Sequence, residues 1–122
     1  MFNLDAQKEH DIIIVTEGQL DAIQVGGVAL AGNSPSDAQC TIIEELEKDI
    51  VLLPDFDSAG MDTINTAIKR GWSVAFPEWE PDIKDANDAV MRYGRLFTVK
   101  SILESIEKNS TKIKILAKTR CK

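Results

Sequence analysis

Cysteine is scarce in this chain. Cys40 and Cys121 are the two thiols, far apart and outside any Cys-x-x-Cys pair. That argues against a disulfide framework or a structural zinc site and fits a reducing compartment. Long apolar runs are missing too: none approaches the ~20 residues that span a bilayer. The first residues, MFNLDAQKEHD, lack the basic flank and apolar stretch of a signal peptide. The sequence therefore reads as soluble, intracellular and cytoplasmic, with no membrane partner. Bases are in the minority, 14 Lys and Arg against 20 Asp and Glu, for a net charge of −6. A domain this acidic does not bind nucleic acid through a broad basic face. It can handle phosphates only if its acids hold cations that reverse the local charge.

What is present is unevenly spread. Residues 1–57 carry twelve acids and two bases, residues 58–107 eight acids and six bases, and residues 108–122 six bases and no acid. The basic tail has two readings: a solvated chain end, or a nucleic-acid contact centred on Lys112, Lys114 and Lys118. The 122 residues suit one compact domain, and an apolar fraction of 43% can fill its core.

Along the chain, short continuous apolar runs alternate with helical patterns. DIIIVTEG reads as a buried parallel strand. A helical stretch follows with Leu20 and Ile23 on one face, stopped by Gly26-Gly27. VALAG is a second short strand. In NSPSDAQCTIIEELEKD, Ser34 is the expected N-cap, Pro35 the first helical residue and Asp37 the third, with Ile42, Ile43 and Leu46 as the buried stripe. IVLL, at 50–53, is the third strand. SAGMDTINTAIKRG is the next helix, with Met61, Ile64, Ala67 and Ile68 inward and Gly71 as its stop. WSVAF is the fourth strand, closed by Pro77. A polar loop then enters a short helix near Asp85 to Arg92. TVKSILESIEK is a last amphipathic helix with Val99, Ile102, Leu103 and Ile106 on one face. The pattern predicts an α/β fold: a sheet of about four strands, mainly parallel, with helices on both faces and right-handed crossovers.

In such folds ligands gather outside the carboxyl ends of the strands, and there the sequence places acids. Glu17 and Gly18 follow the first strand, with Asp21 four residues after Glu17. Asp55 and Asp57 follow the third, on the same side of an extended chain. Asp82, Asp85 and Asp88 follow the fourth. Hard divalent cations take carboxylate oxygens, and magnesium commonly uses one or two of them plus waters and phosphates. Such a cation would offset the repulsion between Asp55 and Asp57. Plainer explanations exist for single residues. Asp57 could cap the helix from Ser58, and Glu17 could be a helix-start carboxylate favoured by the dipole. Neither accounts for acids at three strand ends together.

VTEGQLDAI and LLPDFDSAG, whose Glu17 and Asp55 lie 38 residues apart, resemble the Toprim domain, with its Glu-Gly after the first strand and Asp-x-Asp after the third. The likeness covers residues 12 to about 95, leaving a C-terminal helix and basic tail at 96–122. AGMDTINTAIKRGW and KDAND are most similar to primases, the phage primase and primase-helicase type in particular. The resemblance implies a small Rossmann-like Toprim domain and a metal-dependent nucleotidyltransferase that makes RNA primers on a single-stranded DNA template from ribonucleotides. It implies Mg2+ or Mn2+ as cofactor and a replicative helicase as partner. It casts Glu17 as general acid or base, Asp55, Asp57 and Asp85 as metal-binding acids, and Asp21 and Asp88 as further acids of the site.

Pro54 departs from the family pattern by removing a backbone donor ahead of the first aspartate. The basic subdomain and zinc module that precede Toprim in primases are not represented, so the resemblance implies a catalytic fragment of a longer protein. Two rivals remain. A Toprim nuclease or topoisomerase fragment uses the same acids, though a topoisomerase needs a tyrosine nucleophile and Tyr93 is the single tyrosine. A phospho-receiver signalling domain wants paired acids directly after the first strand and a lysine after the last, where this chain has Glu17-Gly18 and Lys84.

Overall fold

Ile12–Thr16 can satisfy its backbone only if strands flank it on both sides, and they do. The computed structural model describes residues 11–30, 36–56 and 58–120. Strand β1 (Ile12–Thr16) leads into α1 (Gln19–Val25), β2 (Val28–Ala29), α2 (Asp37–Glu44), β3 (Asp49–Leu53), α3 (Ser58–Arg70) and β4 (Ser73–Ala75). Helices α4 (Ala86–Tyr93) and α5 (Arg95–Glu104), strand β5 (Ile106–Glu107) and helix α6 (Ser110–Arg120) complete the described chain. The strands form one sheet in the order β2-β1-β3-β4-β5. β1 pairs in parallel with β2 and with β3 along its whole length, from Ile12 opposite Asp49 to Thr16 opposite Leu53. β3 and β4 are also parallel, whereas β4 and β5 run antiparallel.

Strand side chains alternate between faces, and the core divides accordingly. Ile13, Val15, Ile50, Leu52 and Val74 pack on the face covered by α2, α3 and α6. Ile14, Val51, Leu53 and Ala75 pack on the other face with Val25 of α1, Ala86 of α4 and Ile102 of α5. Two glycines make the turn from α1 into β2. Gly26 takes φ 70° to end α1, and a Cβ on Gly27 would collide with the carbonyl oxygen of Ile14. Only glycine lets β2 start against the backbone of β1.

The α/β class with helices on both faces is as the pattern predicts, with corrections in the details. The sheet has five strands rather than about four, because Ile106, expected on a helix, pairs with Ala75 in β5. Leu20 and Ile23 do share a face of α1, but it points outward, at 63% and 54% exposure; Ala22 and Val25 are the buried positions. Ile42 and Leu103 are also exposed, each near 40%. The N-cap of α2 is Ser36 rather than Ser34, which with Pro35 lies outside the described residues. Ser36 and Gln39 bond each other's backbone N–H in a reciprocal capping box. The basic tail forms α6, whose Ile113 and Ala117 join the core. Among the described residues no helix is long and apolar enough to cross a membrane.

Candidate active site

The chain runs outward from β1 to β2 in one direction and from β3 to β4 in the other. The loops leaving β1 and β3 therefore part company at their carboxyl ends, and the crevice so formed is where open α/β sheets bind ligands. Glu17 leaves β1 and Asp55 leaves β3 at this point. The parallel register carries both strands to the same level, Thr16 beside Leu53. Pro54 then ends the β3 ladder because it has no N–H to give. The next donor, the Asp55 N–H, goes to Glu17 Oε2 at 3.0 Å. The other carboxylate oxygen of Glu17 accepts the hydroxyl of Thr63, on α3, at 2.5 Å. Glu17 is thus fixed by two neutral donors from two different elements. Thr16 tightens the turn beneath it by donating its hydroxyl to the Gly18 carbonyl at 2.8 Å.

Asp21 is 8% exposed on α1. Its Oδ1 accepts the N–H of Asn87, in the first turn of α4, at 2.8 Å, while Gln24 donates to the Asn87 side chain at 2.9 Å. Burial pushes the Asp21 carboxyl above its ordinary range. The Asn87 N–H opposes that shift, and the negative charges of Asp85, Asp88 and Glu17 add to it. Those acids are therefore near enough to act on Asp21. Asp85 is the N-cap of α4 and accepts the Asp88 N–H at 2.8 Å; Asp88 returns the favour to the Lys84 N–H at 3.3 Å. Asp82 sits apart. Arg92 holds it at 2.6 Å and draws its carboxyl below the usual range, in an exposed cluster with Glu80.

Asp21, Asp55 and Asp85 line one cleft of about 880 Å3, together with Lys84, Thr119 and Arg120. Asp57 lies outside the described residues. Lys112, Lys114 and Lys118 project from the exposed side of α6 and do not line the cleft. Tyr93 is also elsewhere: its hydroxyl accepts the Glu80 N–H at 3.2 Å and its ring lies 5.1 Å from that of Phe97.

Among the described residues no group of three or more His, Cys, Asp or Glu side chains is set to hold a metal ion. The acids that do gather supply only carboxylate oxygens, the donors of a hard cation; the upward push on Asp21 comes first from burial, and the charges of Asp85, Asp88 and Glu17, its lesser part, are the crowding that such a cation relieves. Of the acids expected to hold a metal, Asp55 and Asp85 line the same cleft, and Asp57 lies outside the described residues.

Sequence reasoning missed three residues. Thr63 is a buried polar position on the inward face of α3, four residues before Ala67, and that spacing could have found it. Asn87 acts through its backbone, and Arg120 lay in the stretch read as a tail; neither leaves a signal in the sequence.

No protein-family model matches this chain, and no curated protein matches it. Among solved structures it is similar to the Aquifex aeolicus primase, in a crystal structure of that protein's zinc-binding and RNA polymerase domains. The superposition has a TM-score of 0.65 at 22% identity and covers 84% of this chain. The chain spans 28% of that primase chain. At this identity the likeness is one of fold.

Proposed function

We propose that this chain is the Toprim-type catalytic domain of a DNA primase, of the phage primase-helicase kind, and part of a longer protein. The observation that carries the reading is the bond between Glu17 and the Asp55 backbone. It joins the acidic ends of β1 and β3 at the point where the sheet's strand order reverses. The fold likeness to a primase supports the same reading.

The reaction is nucleotidyl transfer, in which a primer 3′-hydroxyl attacks the α-phosphate of a ribonucleotide paired to single-stranded DNA. Asp55, Asp57 and Asp85 would hold Mg2+ or Mn2+, which when bound lowers the pKa of an attacking hydroxyl and offsets charge on the transferring phosphoryl group. Glu17 is the proton-transfer residue. Thr63 and the Asp55 N–H each hold one of its carboxylate oxygens and fix its orientation, and positioned acid–base groups contribute about 10²–10⁴-fold. Tyr93 does not line the cleft, and its hydroxyl is taken by the Glu80 N–H, which favours this chemistry over a tyrosine-nucleophile topoisomerase. Template, ribonucleotides and a helicase partner engage the full-length protein.

The test is direct. Mg2+ or Mn2+ at millimolar concentration should shift the amide resonances of Asp55 and its neighbours and raise the melting temperature, because only the folded state assembles the acids. Asp55→Asn should lose most of both effects. Unchanged resonances and an unchanged melting temperature in the parent protein would defeat the metal assignment.

A further inference from the structure

The last residue of α6 reaches the cleft by an indirect route. One guanidinium nitrogen of Arg120 donates to the Pro77 carbonyl at 2.6 Å, and another to the Phe76 carbonyl at 3.4 Å. The central carbon of the same group lies over the Phe56 ring, 4.6 Å from its centre, a cation–π contact. Phe56 in turn lies 5.7 Å from Phe76, ring to ring. Phe56 adjoins Asp55 in the loop leaving β3. Phe76 and Pro77 begin the loop leaving β4, which ends at Asp85. A single planar cation therefore ties the two acid-bearing loops to each other and to the last helix.

We infer that Arg120 is a positioning residue of the acidic cleft, setting the loop of Asp55 against the loop that leads to Asp85, and that α6 is thereby a working part of the site. The inference rests on the metal-binding reading above for its consequence, though its geometry is independent of that reading. Its chemistry suits arginine alone. Two carbonyls and an aromatic face need a planar fork that stacks and donates at once, which a lysine ammonium cannot do. The carbonyls of Phe76 and Pro77 lie beyond the end of β4, past the sheet ladder, and Arg120 supplies the donors they require.

The electrostatic alternative has the opposite sign. Arg120 brings positive charge to a cleft lined by acids. If charge were its only influence there, removing it would tighten cation binding. If it positions the loops, removing it weakens binding.

The experiment compares Arg120→Gln and Arg120→Lys with the unaltered protein and with the surface variant Lys112→Gln. Mn2+ affinity and the hydrogen exchange of single amides in the metal-free protein are both read. Loss of charged hydrogen bonds of this kind corresponds to about tenfold or more. We expect both Arg120 variants to bind Mn2+ about tenfold more weakly. We also expect the Asp55 amide, which bonds Glu17, to exchange about tenfold faster while the Leu52 amide in β3 keeps its protection. Lys112→Gln should change neither. Tighter Mn2+ binding by Arg120→Gln overturns the proposal in favour of plain electrostatics. So does full rescue by Arg120→Lys, or equal acceleration of the Asp55 and Leu52 amides, which would mark Arg120 as a general stabiliser. If the unaltered protein binds no Mn2+, the metal reading fails by itself. The exchange of Asp55 against Leu52 then still decides whether Arg120 holds the loop.

Discussion

Asp21 is the residue whose behaviour most cleanly separates a crowded acid site from an ordinary surface. Its folded-state carboxyl titrates above the ordinary 3.8, with burial as the first cause and the charges of Asp85, Asp88 and Glu17 behind it. The ionised form is thus disfavoured in the fold, and at neutral pH Asp21 subtracts stability. That penalty is relieved as pH falls through the raised folded value and is gone below 3.8. Asp21→Asn keeps an oxygen for the Asn87 N–H and removes the charge. Its melting temperature relative to the unaltered protein should therefore be highest at pH 7 and should fall back as pH drops toward 3.8. A gap that stays constant with pH, or widens on acidification, would show that Asp21 is not under that electrostatic load. At this scale the sequence was half legible. The places of Glu17, Asp21, Asp55 and Asp85 follow from apolar runs that must end in the open, and the structure sets Glu17 against Asp55 and lines one cleft with Asp21, Asp55 and Asp85. Their partners were not legible, because a backbone N–H such as that of Asn87 belongs to every residue type. The cap of α2 was misplaced for a related reason. Two serines two residues apart each have a polar residue three positions on, and the Ser36 and Gln39 pair is the one that satisfies two N–H groups reciprocally.

Secondary-structure elements were read best where burial is complete. β1 and β3 are continuous apolar runs, and a strand buried on both faces has no alternative pattern to be confused with. β5 has two residues, too few to establish a period, so Ile106 was assigned to the preceding helix. Helix α6 was hidden by its own charge. Six bases among residues 108–122 suggest a solvated end, yet Ile113, Leu116 and Ala117 fall at the i, i+3, i+4 spacing of a buried stripe. Ile113 is 1% exposed, and truncating such a side chain costs about 2–5 kcal/mol. Ile113→Ala should therefore lower the melting temperature by roughly 10–20 °C. Lys112→Ala, one position earlier on the exposed side, should stay within about 0.5 kcal/mol. A solvated tail would leave both substitutions silent, so thermal unfolding of the pair discriminates between the two descriptions.

At the scale of the molecule, charge and topology are arranged in opposition. Glu17, Asp21 and Asp55 gather at the carboxyl edge of the sheet, while α6 carries Lys112, Lys114 and Lys118 on its exposed side and sends only Thr119 and Arg120 to the cleft. The doubly wound arrangement was legible from the alternation of strands and helices. The place of α6 beside α3 was not, because long-range packing of a basic helix leaves no local pattern. That packing changes how nucleic-acid contact by this region has to be tested. Deleting 108–122 would remove Ile113 and Ala117 from the core, so lost binding would report unfolding. Neutralising the exposed lysines leaves the buried stripe intact. If Lys112, Lys114 and Lys118 each neutralise one phosphate of a single strand, together they contribute about 2 to the slope of log affinity against log salt. The triple Lys→Gln variant should flatten the slope by that amount. A matched triple at Lys48, Lys69 and Lys100, three lysines outside α6, makes the same change in net charge and should leave the slope nearly as it was. Equal loss in both variants would trace the binding to overall charge rather than to α6, and an unchanged slope in the α6 variant would remove the helix from nucleic-acid contact.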